Sequence, residues 1–144
     1  MKKLFFDTDV ILDISIEREI DFKDSVKNIN LVETGLYEGY TSSIIFTNTY
    51  YVQRKLIGHE TSISFLKNLR LLLTVLNVDD SIIKNALESG FSDFEDAVQY
   101  FVAMENKMDC IITRNVNDFR KSVIPVYSPA ELLKIIKKET GNPA

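Results

Sequence analysis

The chain has 144 residues, 17 basic against 21 acidic for a formal net charge of −4, with 45% hydrophobic and 26% charged side chains. That length suits a single compact domain spanning 1–144 with a sizeable core, and five glycines and three prolines exclude a low-complexity or linker-rich chain. The acidic balance argues against a general nucleic-acid coat protein, whose footprint is basic, but not against an enzyme whose acids gather around a cation.

Lys3-Leu4-Phe5-Phe6 reads as a short buried strand ending at Asp7. It is too short for the apolar segment of a secretory signal, and no apolar run approaches the ~20 residues of a membrane span. A cytoplasmic protein without membrane attachment is expected. A helix should follow through Val10-Ile11-Leu12, and a second from Phe22 to Leu36. Gly35 and Gly39 are expected to flank a turn before a short strand at Tyr40-Thr41.

From Ser43 to Leu56, and again through Ile63, Leu66, Leu69 and Leu73, the apolar residues recur with helical spacing. Thr74–Val78 reads as a strand, with Asp79 or Asp80 capping the next helix. Ser92 and Glu95 match a capping box opening a helix to about Lys107. Cys110–Thr113 and Ile124–Tyr127 read as strands, and Ser128-Pro129-Ala130-Glu131 opens a last helix. Strands alternating with helices imply crossovers, hence an α/β fold with a mainly parallel sheet covered on both faces. Cys110, the lone cysteine, reads as a small buried hydrophobe in a reducing compartment.

In open parallel sheets ligands bind beyond the carboxyl ends of the strands. Asp7 and Asp9 follow the first strand, Asn115 and Asp118 follow the Cys110–Thr113 strand, and Asp93 and Asp96 open the helix before it. At ~100° per residue, Asp93 and Asp96 share one helical face. Carboxylates so placed suit a hard, oxygen-loving cation such as Mg²⁺ or Mn²⁺, which activates water and balances charge on a phosphodiester. Each residue also has a plainer role. Asp93 can serve the helix dipole, Glu95 the capping box, Asp118 a local turn, and Asp13 reads as a solvated helix charge. His59 shows no partner that would make it a base. Arg54, Lys55, Lys67, Arg70, Arg114, Arg120 and Lys121 are candidates to line the approach.

The ordered segments Phe5-Phe6-Asp7-Thr8-Asp9-Val10-Ile11-Leu12-Asp13, Thr41-Ser42-Ser43-Ile44 with Thr47-Asn48-Thr49, Asp93-Phe94-Glu95-Asp96-Ala97, and Ile111-Ile112-Thr113-Arg114-Asn115 with Asp118 resemble the PIN-domain family. That family includes the VapC-like toxin ribonucleases of bacterial toxin–antitoxin pairs. The resemblance, from residue 4 to about 133, implies a Rossmann-like fold and an endoribonuclease site holding Mg²⁺ or Mn²⁺. It also implies an RNA substrate, an antitoxin protein as partner, and a homodimer. By position, Asp7 looks like the first metal acid and Asp96 the acid on the later helix. Asp93, Asn115 and Asp118 would complete the metal set, with Asp118 also catalytic, and Thr8, Asp9, Asn48 and Thr113 in support. Two positions depart from the pattern: Asn48 and Asn115 stand where the family usually carries acids, and an amide brings neither charge nor basicity. A non-catalytic PIN scaffold binding RNA or protein is therefore a second reading. A haloacid-dehalogenase-like phosphatase, with Asp7 as nucleophile and Asp9 as acid/base, is a third.

Overall fold

A computed structural model describes residues 1–17 and 22–141. Five strands form one sheet: β1 (Lys3–Phe6), β2 (Glu38–Ser42), β3 (Leu73–Leu76), β4 (Cys110–Ile112) and β5 (Val126–Tyr127). Their spatial order is β3-β2-β1-β4-β5, and every pairing is parallel. β1 is central, and Leu4, Phe5 and Phe6 are fully buried, as expected of a strand covered on both faces. The helices are α1 (Thr8–Ile16), α2 (Phe22–Glu33), α3 (Ser43–Ile57), α4 (His59–Leu72), α5 (Asp80–Glu88), α6 (Phe94–Glu105) and α7 (Pro129–Thr140), with a short 3-10 helix at Val116–Phe119. None is long and apolar enough to cross a membrane among the described residues.

The α/β class and the parallel sheet agree with the sequence reading, while several local expectations need correction. Gly39 lies inside β2 and not at a turn. A Cβ there would overlap the Leu73 side chain and come within 2.9 Å of Val32, so glycine is what lets α2 close onto the sheet. β3 starts at Leu73, because the helical stripe ends one residue earlier than its periodicity suggests. Ile124 precedes β5, its N–H and carbonyl both held by the Ser122 hydroxyl. The cap of α6 is Asp93 and not Ser92: the Asp93 carboxylate accepts from the Asp96 N–H at 2.9 Å, shifting the capping register by one. Asp79 and Ser128 do cap α5 and α7. Cys110 is fully buried and its thiol is pushed up to about 12, chiefly by burial.

The order of strands reverses direction on either side of β1 and β4, since β2 and β3 extend one way and β4 and β5 the other. Such a switch point opens a crevice at the carboxyl ends of the two central strands. Asp7 sits at one lip of it and Thr113 at the other.

Candidate active site

Asp7 is held by the fold before any chemistry is considered. Its N–H donates to the Ile112 carbonyl at 3.0 Å, continuing the β1–β4 ladder, and Thr41 on β2 donates its hydroxyl to the Phe6 carbonyl. As N-cap of α1, Asp7 accepts from the Thr8 N–H with one oxygen, at 2.8 Å. The other oxygen accepts from the Thr113 hydroxyl at 2.9 Å. The same hydroxyl lies 3.3 Å from Asp9 Oδ2, which also accepts from the Arg114 N–H at 3.1 Å and from Asn115 Nδ2 at 3.0 Å. Thr113 and its loop thus tie two carboxylates together across the switch point.

A cavity of about 270 Å³ lies over these groups, lined by Asp7, Thr8, Asp9, Leu12, Asp93, Glu95, Asp96, Asn115 and Asp118. The expected site residues therefore converge, with two qualifications. Thr113 lies behind the lining, acting through Asp7 and Asp9. Asn48 reaches the cavity only through Glu95, to whose carboxylate it donates at 3.0 Å.

Glu95 is the residue that sequence reasoning misassigned. With the cap one residue later it is free of a capping box, and it lines the cavity instead. Its place beside Asn48 answers the first departure noted above: the acid missing from α3 is met by one from α6. Asn115 answers the second, since its amide orients Asp9, whose charge stands where the loop lacks one. Asp9 therefore lines the cavity beside Asp7, and its spacing two residues after Asp7 is the signal for that placement.

The electrostatics are those of crowded acids. Burial, then the neighbouring Asp9, raises Asp7 to about 7 against the opposing bonds from Thr8 and Thr113. Burial, then Asp93, Asp118, Glu95 and Asp9, raises Asp96 to about 7. Asp9 is also raised, mainly by burial, and opposed first by the Arg114 N–H. Its Oδ1 is buried with no hydrogen-bond partner. As the side chains stand, no three described His, Cys, Asp or Glu groups converge as a finished coordination sphere. The donor set nevertheless fits a hard divalent cation: all donors are oxygens, six are carboxylates, one buried oxygen is unclaimed, and two acids hold protons that a cation would replace.

Asp13 departs furthest from its expected role. It is fully buried, accepts from the Ser25 hydroxyl at 3.2 Å, and pairs with Arg114 Nε at 3.4 Å. Far from being solvated, it anchors the loop whose N–H groups hold Asp9. Of the basic residues expected near the approach, Arg114, Arg120 and Lys121 line hollows bordering Asp118. Arg54 lies over the rings of Tyr50 and Tyr51, and Arg70 lines a separate hollow along β3. His59 does have a partner, the Tyr50 hydroxyl at 2.8 Å, away from the acids.

The PIN-domain family model matches residues 3–117. The chain is 30% identical over 135 residues to ribonuclease VapC1 of Aquifex aeolicus (strain VF5), covering 90% of this chain and 92% of that one. Among solved structures, DNA-bound VapBC from Salmonella typhimurium matches with TM-score 0.65 at 19% identity, covering 90% of this chain and 99% of that one. VapBC-1 from nontypeable Haemophilus influenzae matches with TM-score 0.67 at 16% identity, covering 89% and 98%. At those identities the two structural likenesses speak to the fold.

Proposed function

The chain belongs to the PIN-domain family, in its VapC-like ribonuclease branch, and from that premise we propose that it is a divalent-metal-dependent endoribonuclease working at the acidic cavity. The observation that carries this reading is the meeting of Asp7 and Asp9 from the end of β1, Asp96 from α6 and Asp118 from the 3-10 helix on one cavity at the switch point. Neither the scaffold reading nor the phosphatase reading accounts as well for that placement within this family.

Asp7, Asp9 and Asp96 would hold Mg²⁺ or Mn²⁺, with Asp93, Asn115 and Asp118 beside them. When bound, the cation supplies Lewis acidity, favouring deprotonation of water and balancing charge on the phosphodiester. Thr113 fixes Asp7 and Asp9 in register with each other, and the Thr8 N–H fixes the second Asp7 oxygen. Asn48 steadies Glu95 at the rim. Asp118, exposed at the mouth, accepts the proton of the attacking water. The water oxygen bonds to phosphorus as the ester P–O bond breaks, and the leaving oxygen takes a proton from solvent.

An RNA substrate, a small antitoxin protein over the cleft, a homodimer and a cytoplasmic location complete the reading. The likeness to ribonuclease VapC1 supports the first, and the likeness to the VapBC structures supports the second. The exposed apolar strip Tyr51, Val52 and Leu56 on α3 supports the dimer. The test is cleavage of mixed structured and single-stranded RNA with Mg²⁺ or Mn²⁺ by wild type, Asp7→Asn and Asp96→Asn. Metal-dependent cleavage lost in both variants is expected. Well-folded wild-type protein that cuts nothing at millimolar metal would return the scaffold reading.

A further inference from the structure

A second hollow of about 190 Å³, lined by Gly90, Phe91, Ser92, Asp118, Arg120 and Lys121, shares Asp118 with the acidic cavity. We propose that it is a phosphate subsite, in which Arg120 and Lys121 take a backbone phosphate of the RNA strand next to the one that is cut. The proposal rests on the ribonuclease reading and adds the path of the strand across the protein.

Charge is the first argument. Six carboxylates line the cavity, and one divalent cation offsets only part of them, so a polyanion needs cations close by. Arg114 is drawn to Asp13. Arg120 and Lys121 form no ion pair among the described residues although Asp118 lines the same hollow, which leaves their charge for a ligand. A planar guanidinium beside an ammonium suits the oxygens of a phosphate diester.

The second argument is that the hollow is built. Lys121 Nζ donates to the Gly90 carbonyl at 2.6 Å, which uses one of its three N–H donors and leaves two. Gly90 has φ +73°, and a Cβ there would stand 3.3 Å from that ammonium, so glycine supplies both the left-handed backbone and the room. The Phe91 ring packs on Tyr100 with centroids 5.1 Å apart, and the Tyr100 hydroxyl accepts from the Val123 N–H at 3.4 Å. Tyr100 therefore joins the two rims of the hollow, the loop before α6 and the segment after the 3-10 helix. Unconnected surface cations would show no such bracing.

The experiment reads binding without cleavage, in the Asp96→Asn protein, as fluorescence anisotropy of a labelled 8–12-nucleotide single-stranded RNA (about the span of one protein face) over a series of salt concentrations. Each phosphate neutralised on a single strand contributes about −0.7 to the slope of log affinity against log salt. Arg120→Gln and Lys121→Gln should each make the slope shallower by about 0.7, with affinity at low salt reduced several-fold. Lys137→Gln/Lys138→Gln, in the last turn of α7, should leave the slope unchanged. Slopes unaltered in both Arg120→Gln and Lys121→Gln, or lowered equally by the α7 pair, overturn the subsite while the ribonuclease reading stands. Failure of both wild type and Asp96→Asn to bind RNA overturns that reading and the subsite with it.

Discussion

The same parallel sheet carries acids at both ends, and the two ends treat them in opposite ways. At the amino-terminal edge, Asp109 precedes β4 and accepts the N–H groups of Lys2 and Lys3 on one oxygen, each at 2.7 Å. Those two bonds hold its carboxyl below the ordinary value. At the carboxyl-terminal edge, Asp7 and Asp96 are raised to about 7 by burial and by each other's neighbours. One acid is placed where the backbone favours a negative charge; the others are placed where burial and neighbouring acids outweigh the bonds that favour one. Carboxylates raised by burial and crowding in a cleft are the pattern that marks a candidate functional site.

The sharpest way to break that comparison is to neutralise the site acids. Asp7→Asn or Asp96→Asn should lower metal-dependent RNA cleavage on the order of 10²–10³-fold, the scale of losing one charge-stabilising group in an active site. The same changes should leave the metal-free protein at pH 8 as stable as wild type or more so, read by thermal or urea melting, because they remove charges the folded state holds at a cost. Loss of stability together with activity would show the acids to be structural.

Asp13→Ala should give the next largest effect, a destabilisation on the order of 3 kcal/mol, since it leaves Arg114 beside an emptied buried site. Denaturant titration measures it. Asp13 thus separates burial from function: it is more buried than Asp96 yet sits outside the cavity, and its loss should be felt in stability first.

Solution pH tests the raised acids directly. Between the unfolded value of 3.8 and about 7, folded Asp7 keeps a proton that the unfolded chain has released. Stability of the metal-free protein should therefore fall as pH rises through that window and level off above about 7, a contribution from Asp7 on the order of a few kcal/mol. Asp96 adds in the same direction, reduced because it is partly exposed and screened. Protons and cation compete for the same oxygens, so cleavage should rise with pH across the range where metal-free stability falls. A stability that climbs from pH 5 to 7 would contradict the crowding of Asp7 and Asp9.

How far the sequence disclosed this arrangement depends on the distance over which each signal acts. The buried run Leu4-Phe5-Phe6, the caps at Asp79 and Ser128, and the alternation of strand and helix are local, and they were legible. So was the gathering of Asp7, Asp96 and Asp118, because strand ends in a parallel sheet share one edge. The fate of Asp13 was not legible: its partners Ser25 and Arg114 come from α2 and the loop after β4, and no spacing along α1 announces them. The role of Glu95 turned on a one-residue choice between Ser92 and Asp93 as cap, both good capping residues. Gly39 looked like a turn because glycine usually marks one, and only the approach of Leu73 and Val32 shows why a strand needs it.

The smallest effect belongs to the other end of the sheet. Asp109→Asn keeps an acceptor for Lys2 and Lys3 but removes the charge that strengthens both bonds. The group is exposed, so the cost should be a fraction of 1 kcal/mol at neutral pH. Its sign against pH is opposite to that of Asp7. A lowered acid stabilises above its unfolded value of 3.8, and that contribution is lost as pH falls through its folded value. The variant should therefore differ from wild type at pH 6 and converge with it in strong acid, while RNA cleavage stays unchanged. If Asp109→Asn altered cleavage as Asp7→Asn does, the two ends of the sheet would be coupled, and the division between a satisfied edge and a crowded one would fail.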